Sequence, residues 1–530
     1  MNLFFTETDS NADFIKSLAL LVVRDLFPFR LVDSDDDRCH IRLLNPNVDI
    51  PSRKRLLKYI DCLFTKTQDK LIERFRTIKM FAITTDTWTH SLNSRSYISV
   101  TGHYLNKELR SFKQESVVLG VREFREYHTS ENLAAKIESI LDERSIPKGK
   151  VVAVVSDGAP NICSAIKHSF GRNRSLWCFA HQLNLIVQDS IRALKELNFI
   201  LTDVKEIVTF FKHSNNASSL LRTQLEMNSM DANLKLKQEC VTRWNSKYIM
   251  IERFLKMQIP VSTVLLQLEN CPSMVSKAKL KVLAEILLLL KPFYDLTLEL
   301  SGQNYVTISS VIPLITCPSA LKAKNIESEL VKSFKAYLEL NIEKRFQKIE
   351  EVNICAFATL LDPRFKKVDF SSILLCSSAV QKLKKHIDDC ISRPETQVDL
   401  AYSSQSLDSD IWQQHDENVA YFASKYARKS SDLIDFLSTK VSERHINPLD
   451  FWWKNQTNYP EICDVALSYL IVPAASVPSE RIFSKAGDLI SEKRNRFLPE
   501  NVNKLLVLGS IDKNFLILIL LIIDKLCCFN

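Results

Sequence analysis

A chain of 530 residues has room for roughly two to four domains of ordinary size. Its 46% apolar and 25% charged residues exclude a disordered polymer, and only 8 glycines argue against a propeller or a large all-β sandwich and for a helix-rich fold. The 70 Lys and Arg exceed the 62 Asp and Glu by a mild +8, compatible with a nucleic-acid partner without requiring one, while 13 scattered cysteines with no Cys-x-x-Cys exclude a readable disulfide framework and fit a reducing intracellular compartment.

In chain order, residues 1–78 read as helices, with Phe14, Leu18, Leu21, Val22 and Phe29 near one face and Leu56, Leu57, Ile60 and Leu63 on another. Leu18 to Val23 is apolar, but acids precede it, Arg24 interrupts it and no small-residue cleavage site follows, so it is not read as a signal peptide. The texture then changes to three short β-type runs, MFAITTDTW, RSYISVTGHYL and SFKQESVVLG, which predict a meander. Ser130 to Arg144 follows with helical spacing and Thr129 or Ser130 as its cap, and KVVAVVSDGAPN opens with a strand of the kind buried on both faces. A meander, a helix and a buried strand in that order are expected of an RNase H-like sheet.

Beyond about Asn184 the pattern is helical to about Lys440, interrupted by a polar loop at Ser403 to Asp410. A compact final unit is expected from Asn447, with Pro448 and Trp452 opening a helical stretch that ends near Ile511. Phe515 to Ile523 is continuously apolar yet about half the length of a membrane-spanning helix, which leaves a buried helix end or an aberrant tail.

The chemistry-bearing candidates are carboxylates. Asp86 and Asp157 each end an apolar β-type run, so both are expected at one edge of a parallel pair, where open sheets place ligands. A third, Glu480, sits where Pro478 and Ser479 can begin a helix, in its first turn. Three such groups could hold two divalent cations, although an acid after a strand is more often a turn or a cap.

Four ordered blocks carry a resemblance. TTDTWTHS, SDGAPN, TRWNSKY and the long SVPSERIFSKAGDLISEKRNRFLPENV resemble the two Asp blocks, the insertion-domain block and the C-terminal Glu block of hAT transposases. LDPRFK and the N-terminal RLLNPNVDIPSRKRL also match, so the likeness runs from about residue 14 to 511. It implies an α/β plus α chain: an RNase H-like catalytic core interrupted by a large all-helical insertion domain, with a helical C-terminal dimerisation segment. The expected parts are an N-terminal helical segment at 1–78, the first part of the core at 79–190, the insertion at 191–446, the dimerisation region completing the core at 447–511, and an atypical tail at 512–530.

The resemblance makes Asp86, Asp157 and Glu480 a metal-binding DD-E triad for Mg²⁺ or Mn²⁺, used in DNA cleavage and strand transfer. It makes Trp244 the aromatic that stacks on a flipped base, with Arg243 beside it for phosphate, against the alternative of a packed core tryptophan. Cys178 and His181 match an element near the active site; zinc is not expected, because Cys163 and His168 are poorly placed as a second pair. Val465, Leu467, Leu470, Ile471, Ile482, Phe483, Leu489 and Ile490 offer apolar area for a partner, which with the resemblance implies a homo-oligomer, and Ser491 to Arg496 adds basic groups for DNA or a solvated face. No membrane partner is expected, and the compartment implied is the nucleus.

Departures from the pattern are also present. The Cys and His pairs of a BED zinc finger are not found before the first helix, which reads as truncation, splicing or loss. His90 stands where Ser is common, Gly158 replaces the usual Asn after the second Asp, and Asp37 takes an apolar position, as expected of a decaying copy. Two functions follow: a metal-dependent transposase, or a silent descendant that dimerises and binds DNA without cutting it.

Overall fold

The computed structural model describes residues 10–90, 94–108, 110–240, 244–316, 326–391, 431–490 and 498–526. The chain divides into two compact units. One takes Met1–Cys178, Gln303–Tyr305 and Ile471–Asn530; the other takes Phe179–Gly302 and Val306–Leu470. No helix among the described residues is long and apolar enough to cross a membrane.

The first unit is built on a five-stranded sheet of β1 (Phe81–Thr89), β2 (Ser96–Lys107), β3 (Phe112–Phe124), β4 (Val151–Ser156) and β5 (Ser175–Trp177), in the order β3-β2-β1-β4-β5. The meander β1 to β3 is antiparallel, and β4 and β5 add to β1 in parallel. Both crossovers are helical, as parallel strands require. Thr129 Oγ1 accepts the Asn132 N–H at 3.3 Å to start the helix Ser130–Glu143, and a proline at the first position starts Pro160–Phe170. The β-branched run of β4 is almost wholly buried, as its sequence predicts.

The sheet edge at β3 is closed by side chains rather than by another strand. Ser510 Oγ and Asn503 Oδ1, on the helix Pro499–Ser510, accept the N–H groups of Val118 at 3.1 Å and Val121 at 2.8 Å. Free N–H groups that would recruit a foreign strand are thereby satisfied. The apolar stretch after Ile511 is a helix, Lys513–Leu526, packed on the helix Arg53–Thr77. It buries Leu516, Ile519 and Leu520, with Arg74 placed 5.5 Å over the Phe515 ring. Of the two readings open for this stretch, it is the buried helix end.

In the second unit every regular element described is a helix. Arg345 pairs with Asp189 at 2.6 Å and Asn341 Nδ2 donates to Ser190 Oγ at 3.0 Å, tying Glu329–Phe346 to Phe179–Arg192. The LDPRFK motif is a structural hub here. The fully buried Asp362 accepts Ser309 Oγ at 2.7 Å and the Arg364 guanidinium at 2.8 Å. Buried Lys366 donates to the carbonyls of Phe436 and Thr439, both at 2.8 Å, at the C-terminal end of the helix Ser431–Ser438. Trp452 Nε1 donates to the Leu361 carbonyl at 3.0 Å.

Three sequence expectations change. The first division falls after Cys178 rather than at 190, because Phe179–Arg192 buries its apolar face among the helices of the second unit. The stretch 447–511 is not one compact piece: Pro448–Asn455 and Pro460–Leu470 belong to the helical unit, whereas Val477–Leu489 and Pro499–Ser510 belong to the sheet unit. Finally, Val465, Leu467, Leu470, Ile471, Ile482, Phe483, Leu489 and Ile490 are all buried within the chain itself, so their apolar area needs no partner. The loop expected at Ser403 to Asp410 lies outside the described residues.

Candidate active site

Asp86 lies on β1 beyond its parallel pairing with β4, which ends at Thr84 opposite Val155; Asp157 follows β4 directly. The two carboxylates therefore emerge at the same end of adjacent parallel strands, as their sequence positions led us to expect. Each is held by local backbone. The Thr87 N–H donates to Asp86 Oδ1 at 2.8 Å, and the Ala159 N–H donates to Asp157 Oδ1 at 3.1 Å, an Asx turn leading into the helix at Pro160.

Trp177, at the end of β5, adds a constraint on Asp157. Its indole Nε1 donates to the Asp157 carbonyl at 2.7 Å. Gly158 has φ +88°, and a Cβ there would meet Trp177 Nε1 at 1.7 Å. Glycine is thus required twice over, by backbone conformation and by the ring. His90, the other departure on this rim, is buried and sits edge-on to Trp88 at 5.1 Å.

Glu480 occupies the first turn of Val477–Leu489, whose start is tied to the sheet. The Ser476 N–H donates to the buried Cys178 Sγ at 3.2 Å, and the Cys178 N–H donates to the Ser156 carbonyl at 2.8 Å. Ser479 Oγ donates to Thr84 Oγ1 at 3.0 Å, and Phe483 stacks on Trp88 at 5.7 Å. Glu480 is flanked by these two anchors.

Asp86 responds to both of the other acids. Burial first, then the charge of Asp157 and more weakly that of Glu480, raise the Asp86 carboxyl to about 8 against the opposing Thr87 hydrogen bond. Among the described residues, no three His, Cys, Asp or Glu side chains already form a metal cage. The donor set is nonetheless all carboxylate oxygen, the kind hard divalent cations take, and burial and two like charges act on Asp86 with no positive group to offset them. The chemistry of these residues fits such an ion.

The remaining candidates do not join this cluster. Cys178 is fully buried and serves as the anchor described above; His181 lies in the first turn of Phe179–Arg192, in the helical unit. Trp244 is 2% exposed in that unit, its backbone N–H donating to Asn184 Oδ1 at 3.0 Å and its ring edge-on to Phe293 at 6.5 Å. The ring is packed in the core rather than presented for stacking. Arg243 and the basic run Ser491 to Arg496 lie outside the described residues. Sequence reasoning missed Trp177, which donates to the Asp157 carbonyl, and Thr84, which accepts from the Ser479 hydroxyl beside Glu480.

Three stretches of the chain match known protein families. Residues 84–181 match the ZBED1 RNase-like domain, 176–287 the ZBED1 RNase-like helical domain, and 432–510 the hAT family C-terminal dimerisation region. A Zea mays protein named as an AC transposase is 23% identical over 541 residues, covering 93% of this chain and 64% of its own length. Human zinc finger BED domain-containing protein 4 is 22% identical over 513 residues, covering 93% and 43%. The transposable element Hobo transposase of Drosophila melanogaster is 26% identical over 455 residues, covering 76% and 65%. The chain spans less than two thirds of the length of each of these relatives.

Proposed function

Because this chain belongs to the hAT superfamily of transposases and transposase-derived BED-type proteins, we propose that it is a self-associating nuclear DNA-binding protein with a DD-E metal site of Asp86, Asp157 and Glu480. In this reading the sheet unit is an RNase H-like core, the helical unit is the domain inserted into it, and the C-terminal region is where copies associate. The observation that supports the proposal is that Asp86 and Asp157 lie at the same end of adjacent parallel strands, with Glu480 in the first turn of a helix tied to the same sheet by Ser479 and Phe483.

Asp86, Asp157 and Glu480 would hold Mg²⁺ or Mn²⁺. Bound there, a pair of such ions supplies the positive charge that stabilises the attacking and leaving oxygens of an in-line phosphoryl displacement. The protein's own contribution is orientation. Thr87 and Ala159 fix one oxygen each of Asp86 and Asp157, Trp177 fixes the backbone of Asp157, and Ser479 with Phe483 fixes the turn that bears Glu480.

The test is cleavage of a labelled DNA hairpin or element end with Mg²⁺ or Mn²⁺, comparing the native chain with Asp157→Ala. Metal-dependent cutting that the variant lacks supports the enzyme. The buried Trp244 favours a second reading, a silent descendant that binds DNA and self-associates. No cutting by either form, with DNA retained in a shift assay, selects that reading. Light scattering at micromolar concentration checks self-association separately, and a monomer there removes it.

A further inference from the structure

We propose that Ser479, Thr84, His103 and Ser116 are positioning residues for Glu480, a one-way chain of hydrogen bonds running from the turn that bears this carboxylate across three strands. The inference rests on the reading of Glu480 as a metal ligand.

The geometry is continuous. Ser479 Oγ donates to Thr84 Oγ1 at 3.0 Å, Thr84 Oγ1 meets His103 Nε2 at 3.1 Å, and His103 Nδ1 meets Ser116 Oγ at 2.8 Å. Thr84 has one hydroxyl proton. As it accepts from Ser479, that proton goes to His103 Nε2, which must be bare, and Nδ1–H then donates to Ser116. Only the neutral imidazole supports this direction. Full burial, which pushes His103 down to about 3, keeps it neutral.

Packing alone does not account for these residues. Thr84, Ser479 and His103 are 0%, 0% and 1% exposed, so an apolar set of similar volume would fill the space without three desolvated polar groups. They also lie where positioning matters. Thr84 and Asp86 share one face of β1, and the partners of this pair on β2, Thr101 and Ser99, lie between His103 and the strand start. The buried hydroxyls of Ser99 and Thr101 have no partner among the described residues. A polar floor thus underlies the helix Val477–Leu489, and the relay is the ordered part of it. Among the described residues its hydrogen-bonded link to that helix is Ser479, immediately before Glu480.

The experiment uses the full chain and Mn²⁺ as probe, counting free ion by electron paramagnetic resonance, with hydrogen exchange read on peptides covering 477–483. Thr84→Val keeps the shape of the side chain and removes the proton; Thr84→Ser restores it. Circular dichroism verifies the fold of each. Thr84→Val is expected to weaken Mn²⁺ binding about tenfold, the worth of one buried hydrogen bond, and to speed exchange at 477–483, with Thr84→Ser within about twofold of native on both. Native Mn²⁺ affinity in Thr84→Val overturns the proposal. If the native chain and Asp157→Ala bind Mn²⁺ alike, the metal-site reading itself has failed. Exchange then decides the relay: faster exchange at 477–483 in Thr84→Val, reversed in Thr84→Ser, supports it, and unchanged exchange overturns it.

Discussion

Replacing Gly158 with alanine tests the geometry behind the second aspartate. At φ +88° an L-residue is strained by about 1–2 kcal/mol. The new Cβ would also stand 1.7 Å from Trp177 Nε1, so the ring must leave. Trp177 is 37% exposed and can swing outward, but it then forfeits its 2.7 Å hydrogen bond to the Asp157 carbonyl, a loss of about 1 kcal/mol. The expected total is about 2–3 kcal/mol. A chain of two compact units need not unfold in one step. The cost is therefore read as a shift in the urea transition of the sheet unit, followed by hydrogen exchange of β4 peptides. The same substitution in a Trp177→Ala background should cost only the backbone strain, about 1 kcal/mol less. Equal costs in the two backgrounds, or a cost below about 0.5 kcal/mol in the native one, would refute the reasoning.

Three further outcomes are expected. Lys366→Met leaves the carbonyls of Phe436 and Thr439 without their buried donor and should destabilise the helical unit by about 2–4 kcal/mol in a urea titration, with the sheet unit unaffected. His103, with a folded pKa of about 3 against 6.5 unfolded, contributes stability that is present above pH 6.5 and lost as pH falls toward 3, at up to about 1.4 kcal/mol per unit; native and His103→Gln melting curves compared from pH 7 to 5 should show a shallower acid loss in the variant. Leu516→Asp places a charge in a fully buried site and should release Lys513–Leu526 from Arg53–Thr77, seen as limited proteolysis after Ile511; resistance equal to native would mean that the helix is not docked.

The strands were legible because β-branched runs bounded by turn residues have few alternatives, and the aspartates were legible because they end such runs. The helical half was legible only as helical. Amphipathic segments such as Phe179–Arg192 and Pro460–Leu470 declare an apolar face but not which core receives it, so the divisions were misplaced. The same ambiguity made the apolar set from Val465 to Ile490 look available to a partner when it is internal. On β2, Ser99, Thr101 and His103 alternate with Ile98, Val100 and Tyr104, a pattern that ordinarily means one wet face. Here a helix from hundreds of residues away covers that face, and a local pattern cannot report it. Trp177 escaped notice because a three-residue strand leaves almost no periodic signal.

The seal on β3 has a consequence during synthesis. Its acceptors, Asn503 and Ser510, leave the ribosome more than three hundred residues after the strand they cover. At roughly 5–20 residues per second the nascent sheet spends tens of seconds with that border raw. Chaperone demand should therefore concentrate on this interval, and ribosomes stalled before residue 503 should yield chains that stick to one another through β3.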